Sequence, residues 1–118
     1  MDRGRPGAPR RLRGAPLSSG RFADLIERQL DLFEREEAAL IAQCEEAERA
    51  YDAADRDEAE ERYGDYLELI ETGTELLAGL RDHFASTMTE AAAAEYEQEF
   101  NRTVLKRFRR FALEIDDV

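Results

Sequence analysis

Apolar residues between Tyr63 and Phe84 recur in steps of three and four, and this spacing constrains the fold more than any other feature of the chain. Residues spaced in this way share one face of an α-helix. Acidic residues fill many of the positions between them, so the opposite face of the same helix would be charged. A helix cannot bury a single apolar stripe alone. The spacing therefore predicts a central helix that packs against the segments before and after it.

The flanking segments show the same period, and together the three stripes predict helices over about 21–53, 57–84 and 88–115. Only two Val and four Ile occur in 118 residues, which is too few for a sheet protein of this size. The predicted core stripe comprises Ile26, Phe33, Leu40, Cys44, Tyr63, Tyr66, Ile70, Gly73, Leu77, Leu80, Phe84, Phe100, Phe108 and Phe111. At Gly73 the missing Cβ would let a neighbouring backbone approach closely.

The connection between the first two helices allows two interpretations, because residues 52–62 contain neither Gly nor Pro. One is a hairpin that turns near residues 53–56, with Asp57 as N-cap of the second helix. The other is one long helix, which would expose its stripe and force dimerisation. The hairpin is favoured because Asp52, Asp55 and Asp57 are typical of turns and caps.

The predicted fold class is therefore all-α: an antiparallel helical hairpin with a third helix packed on it, as a coiled-coil-like three-helix bundle. A capping box of Thr87 and Glu90 would begin the third helix. Three helices with apolar stripes as long as these cannot cover all of one another's apolar surface, so an apolar strip would stay exposed. We therefore expect a homodimer that completes a larger bundle.

Charge divides the chain into a basic tail and an acidic body. Residues 1–20 are mainly Gly, Pro, Arg and Ser without a period, which predicts a disordered basic tail before a single helical domain at 21–118. Residues 22–99 contain 24 acidic residues and six Arg, and the whole chain has a net charge of −11. Such acidity disfavours nonspecific binding of nucleic acid by the body and suits a partner with a basic surface.

Composition also bears on localisation. A single cysteine excludes an internal disulfide framework and indicates a reducing compartment, and the sequence offers no membrane span. Sixteen Arg against one Lys, with abundant Ala, is typical of a GC-rich bacterial coding sequence. We expect a cytoplasmic bacterial protein.

The sequence predicts neither an enzyme nor a cofactor. It has no Gly-rich phosphate loop, nucleophile elbow or zinc-ligand spacing. His83 is the only histidine and has no Ser, Cys or Asp arrangement near it, while Cys44 falls on the buried stripe. Carboxylate-bridged metal bundles need two Glu-x-x-His motifs, which one histidine cannot supply. We therefore predict no catalytic residue, no metal site and no small-molecule substrate.

Two polar features of the sequence remain as candidates for a structural or partner-binding role. Glu37 interrupts an apolar stripe, so its side chain would either extend to the edge of the bundle, pair with an arginine, or fix the register of the helices. Basic residues cluster on the outer face of the third helix, where they could neutralise acids of the bundle or bind an acidic partner. These candidate partner-binding residues are Arg102, Lys106, Arg109 and Arg110.

Three functions follow, in order of preference. The first is a non-catalytic protein–protein interaction protein: an adaptor, an assembly factor or a small regulator. The alternative is a nucleic-acid-associated regulator that uses the Arg-rich tail and the basic face of the third helix. The second alternative is a carboxylate-rich metal bundle of the ferritin-like kind.

Overall fold

The computed structural model describes residues 20–111, which form helices joined by short turns and contain no strand. The all-α prediction is confirmed for these residues. The helices are α1 (Ala23–Glu36), α2 (Ala38–Ala53), α3 (Arg56–Ala85) and α4 (Glu90–Arg107), and residues 109–111 are helical again. Residues 1–19 of the tail predicted at 1–20, and the end of the predicted third helix beyond 111, lie outside the described residues.

The predicted first helix is two helices that meet at Glu37, so a continuous helix over 21–53 is wrong. The backbone hydrogen bonds still span the break: Glu37 N–H donates to the Phe33 carbonyl at 2.8 Å, and its own carbonyl accepts from Ile41 at 3.0 Å. The neighbours change at this point, because α1 packs on α4 while α2 packs mainly on α3. The Phe33 ring also meets the rings of Phe108 and Phe111 here, at centroid distances of 5.4 and 6.1 Å. The bend accommodates both neighbours.

The turn between α2 and α3 is short and settles the choice between a hairpin and one long helix in favour of the hairpin. Only Ala54 and Asp55 separate the two helices, which pack against each other. The Asp55 carboxylate caps α3 by accepting a hydrogen bond from Glu58 N–H at 3.3 Å. The prediction of Asp57 as the cap is therefore wrong, because the helix begins two residues earlier.

The predicted third helix is shorter than expected at both ends. Thr89, not Thr87, is its N-cap and accepts from Ala92 N–H at 3.3 Å. The Thr87 hydroxyl instead donates to the Phe84 carbonyl at 2.7 Å, within the turn that follows α3. The prediction of a helix through residue 115 is wrong at Phe108, which leaves the helical region with φ −129° and ψ 62°. This turn lets the Phe108 and Phe111 rings both reach Phe33.

The core receives buried apolar residues from all four helices and from the segment after α4. Its buried apolar residues are Ile26, Leu30, Phe33, Leu40, Cys44, Ile70, Leu77, Ala85, Tyr96, Phe100, Val104 and Phe111. Most of the predicted core stripe is among them, and Gly73 is buried too. Four predicted core residues are only half-buried: Tyr66, Leu80, Phe84 and Phe108.

Tyr63 is a wrong core prediction, because 45% of it is exposed. It lies near the hairpin turn, where α3 packs on α2 alone and its ring meets only the neighbouring Tyr51 ring at 5.2 Å. Two helices in contact bury a narrower stripe than three do. The apolar period of α3 therefore extends beyond the part of the helix that α4 covers.

Gly73 accommodates a side chain and not a backbone. A Cβ at Gly73 would lie 2.6 Å from Phe111 Cζ and 2.7 Å from Phe111 Cδ1, so the ring occupies the space that a side chain would need. Next to it, the Thr74 hydroxyl donates a buried hydrogen bond of 3.0 Å to the Phe111 carbonyl. These two contacts hold the chain after α4 on α3.

Candidate interaction surface

Two shallow depressions lie between α3 and the helices before it. One of about 280 Å³ lies near the bend between α1 and α3, and one of about 340 Å³ lies nearer the turn between α2 and α3. We call these two depressions together the open groove. Its lining residues are Gln29, Leu32, Phe33, Glu36, Glu37, Gln43, Glu46, Ala47, Ala50, Arg62, Asp65, Leu69, Leu76 and Leu80.

The two depressions lie on one face of α3. That helix lines them with Arg62, Asp65, Leu69, Leu76 and Leu80, which follow one another in steps of three, four, seven and four. Neither depression is lined by a described residue of α4. The open groove is thus the side of the hairpin that no third helix of the described chain covers.

α4 lies across a different face of α3. Arg81 reaches it through a hydrogen bond from Nη1 to Asn101 Oδ1 at 3.1 Å. Farther along, the Gly73 and Thr74 contacts with Phe111 continue the same interface. The contacts are antiparallel, since later residues of α4 meet earlier residues of α3.

The lining of the open groove combines apolar side chains with carboxylates. Leu32 is 44% exposed and Leu76 is 42% exposed, one on each wall. The lining contains four carboxylates: Glu36, Glu37, Glu46 and Asp65. Its one cation, Arg62, lies within 4.0 Å of carboxylate oxygens of Glu58 and Asp65. One arginine against four carboxylates leaves the lining with a net formal charge of −3, and its two exposed leucines lie in the depression near the bend.

Gln29 connects the groove to the core. Tyr96 donates its hydroxyl proton to Gln29 Oε1 at 2.9 Å, and both residues are buried. Burial raises the pKa of Tyr96 to about 12. Gln29 Nε2 is buried and has no hydrogen-bond partner among the described residues.

Glu37 lies in the groove lining and not in the core. Its side chain is half-buried at the bend between α1 and α2. The sequence indicated correctly that something unusual happens at this position, because a carboxylate interrupts the stripe there. The predicted role in fixing the register stays a prediction.

The predicted basic cluster divides into exposed and engaged residues. Arg102, Lys106 and Arg109 are exposed, whereas Arg110 donates to Glu48 Oε1 at 2.7 Å. Partial burial lowers the pKa of Arg110, but hydrogen bonds and negative charge from Tyr66 and Glu48 outweigh it and the pKa is raised. The prediction that these residues bind a partner stays a prediction.

Sequence reasoning missed Arg107, which makes the largest ion-pair cluster of the described residues. It donates from Nη1 to Glu27 at 3.0 Å and from Nη2 to Asp31 at 2.6 Å and Glu34 at 2.9 Å. Partial burial lowers its pKa, but the hydrogen bonds to Asp31 and Glu34 and the nearby carboxylate charges raise it overall. The spacing of Glu27, Asp31 and Glu34 on one helix face could have indicated a basic partner.

Two further charged residues are buried. Glu99 accepts hydrogen bonds from the backbone N–H groups of Gly20 at 3.1 Å and Phe22 at 3.2 Å. Phe22 is the N-cap residue of α1 and makes no side-chain cap, and Glu99 on α4 instead binds the backbone N–H groups that immediately precede the helix. Arg81 is 6% exposed and donates from Nε to Asp82 at 2.9 Å.

The residues with catalytic or metal-binding chemistry are apart from one another. Cys44 is fully buried on α2, and burial raises the pKa of its thiol. His83 is exposed at the end of α3, where its ring meets the Phe84 ring edge-on at 5.6 Å. Within residues 20–111, no three His, Cys, Asp or Glu side chains are grouped as a metal ion would require. None of the helices in this range is both long and apolar enough to cross a membrane.

Comparison of the chain with models of protein families, with curated proteins and with solved structures finds no match. The function must therefore be argued from the surface chemistry.

Proposed function

We propose that this chain is a non-catalytic protein–protein interaction protein, of the adaptor, assembly-factor or small-regulator kind, and that it binds another helical chain in the open groove. The observation that carries this proposal is the exposure of Leu32 and Leu76 on facing walls of a groove that α4 leaves uncovered. Apolar side chains grouped in a groove with a polar rim are typical of sites that bind another protein.

The occupant can be a second copy or a different protein. In the first case two copies would associate through their grooves, which is the homodimer that the stripe lengths predict. In the second case the chain would capture a helix of its partner. Both cases use the same surface.

The nucleic-acid alternative receives less support. Arg107 and Arg110 form ion pairs with acids of α1 and α2, which reduces the basic surface available to phosphate. The exposed residues Arg102, Lys106 and Arg109 stay candidates for contacts with an acidic partner. We therefore place nucleic-acid binding below protein binding.

Site-specific photo-crosslinking in cells of the source organism tests the proposal. A photoreactive phenylalanine analogue would replace Leu32 or Leu76, and the matched control would carry it at Leu67. Leu67 is 41% exposed on the same helix as Leu76, but nine residues away and thus on the opposite side of it. We expect a discrete protein adduct from the groove positions and not from position 67. Equal or absent crosslinking at all three positions would contradict the proposal.

A further inference from the structure

We propose that the open groove binds a basic amphipathic helix of a different protein: a helix with an apolar stripe flanked by Lys or Arg. This inference rests on the proposed function and specifies the chemistry of the partner. It is carried by the shape of the groove, its length and the sign of its charge.

The shape of the groove fits a helix. One wall is α3, and the other is α2 near the turn and α1 near the bend, so a helix laid along α3 would bury its own apolar stripe between both walls. α4 makes the same kind of contact on another face of α3. A helix in the groove would make α3 the centre of a four-helix arrangement.

The length of the groove sets the length of the occupant. On α3 the lining begins at Arg62 and ends at Leu80. At a rise of 1.5 Å per residue this interval is about 27 Å long, which a helix of about 18 residues would match. Leu32 and Leu76 near the bend give such a helix two apolar contacts, one on each wall.

The charge of the groove selects between occupants. Four carboxylates and one arginine line it, and Arg62 pairs with one of those carboxylates, Asp65, so three lining carboxylates have no cation in the lining. Two copies meeting groove to groove would bring these carboxylates together, and like charges oppose such an association. Lys or Arg residues beside the apolar stripe of a partner helix would instead meet opposite charge. Charge complementarity therefore favours a basic partner over a second copy.

The test uses the full-length protein and an 18-residue peptide probe. The probe has leucines at i, i+3, i+4 and i+7 spacing flanked by lysines, and its matched control has the same leucines flanked by glutamates. Fluorescence anisotropy measures the binding of each labelled peptide at 50 and 300 mM NaCl. We expect the lysine peptide to bind, its affinity to fall with salt, and the glutamate peptide not to bind. Equal binding of both peptides, or of neither, would overturn the inference.

Variants of the apolar wall show whether the peptide is in the groove. The double variant Leu32→Ser and Leu76→Ser should weaken binding about tenfold or more, since it removes two central apolar contacts. The control Leu67→Ser changes an equally exposed leucine outside the groove and should leave the affinity within about twofold. Circular dichroism would establish that each variant is folded. Equal affinities of the two variants would place the peptide elsewhere and refute the inference.

Variants of the rim test the charge argument separately. Glu36→Gln with Glu46→Gln should reduce the affinity at 50 mM NaCl and flatten its salt dependence. Glu71→Gln is the control, because Glu71 is exposed on α3 and does not line the groove. If the rim variant behaved like the control, the basic character of the occupant would be refuted.

Two other occupants would give different results. If a second copy fills the groove, sedimentation would show a dimer that Leu32→Ser with Leu76→Ser converts to a monomer, without any peptide. If the chain's own basic tail fills it, replacing Arg3, Arg5, Arg10, Arg11 and Arg13 by Ser would strengthen peptide binding about tenfold. Either result overturns the inference of a partner helix. A groove-specific adduct with another protein in the crosslinking experiment would still uphold the proposed function.

Discussion

Replacing Gly73 by alanine tests the packing between α3 and the segment that follows α4. Alanine is the better helix former, and in an exposed helix interior the change would stabilise the protein by up to about 1 kcal/mol. At position 73 the new methyl group would meet the Phe111 ring, with Cζ at 2.6 Å and Cδ1 at 2.7 Å. The ring must therefore move.

The cost of that movement follows from the surroundings of the ring. Phe111 is 1% exposed, and its carbonyl accepts the buried hydrogen bond from Thr74. Overpacking in a core costs about 1–3 kcal/mol, and expelling the ring would forfeit up to about 2–3 kcal/mol of apolar burial. After subtracting the gain in helix propensity, we expect Gly73→Ala to lower the free energy of unfolding by about 1–2 kcal/mol.

Gly79→Ala is a matched control on the same helix. A Cβ at Gly79 meets no atom within 4 Å among the described residues, so only the gain in helix propensity remains. Urea unfolding followed by circular dichroism at 222 nm measures both variants against the parent protein. We expect Gly79→Ala to be the more stable by about 2 kcal/mol or more. If the two variants were equally stable, Phe111 would not pack on Gly73 and the described interface would be wrong.

Three further perturbations probe individual groups. The pKa of Tyr96 is raised from 10.0 to about 12, so as pH rises above 10 the unfolded state loses this proton before the folded state does. The stability contributed by the protonated Tyr96 is therefore complete below pH 10 and declines by about 2–3 kcal/mol as pH rises to 12. Urea titrations at a series of pH values should show this decline in the parent protein and not in Tyr96→Phe. Arg107→Gln removes three ion pairs and should lower the free energy of unfolding by about 1 kcal/mol at low salt and by less at 0.5 M NaCl. The control Arg102→Gln should change it by less than about 0.5 kcal/mol. Cys44 is fully buried with a raised thiol pKa, so a disulfide reagent should modify it at least about 100-fold more slowly in buffer than in 8 M urea, and fast modification of the folded protein would contradict its position.

The helical class and most core positions could be predicted from the sequence, because both depend on local spacing. The period around Ile70 and Leu77 identifies the buried stripe of α3 regardless of which helices cover it. The bend at Glu37 could not be predicted in this way. It depends on a change of neighbours between α1 and α2, and those neighbours are distant in sequence.

The helix ends were less predictable than the helices. Asp55 and Asp57 both have side chains that can cap a helix. Which of them is the cap depends on where the turn falls, and the packing of α2 on α3 sets that position. Thr87 and Thr89 pose the same choice before α4. The acceptor that completes α1 comes from Glu99 on α4, so no local pattern could have revealed it.

The apolar residues of α3 form two rows that the sequence alone does not separate. Ile70, Gly73 and Leu77 form the buried row, which α2 covers on one side and the segment after α4 covers on the other. Leu69, Leu76 and Leu80 form a second row, and α4 does not reach it. In the sequence the two rows merge into one broad apolar face, and part of the second row was predicted as core. Leu69 and Leu80 of this row are half-buried and pack against the core, whereas Leu76 is 42% exposed. The fold therefore accounts for the first two leucines, and Leu76 is the member of the row that the proposed partner would cover.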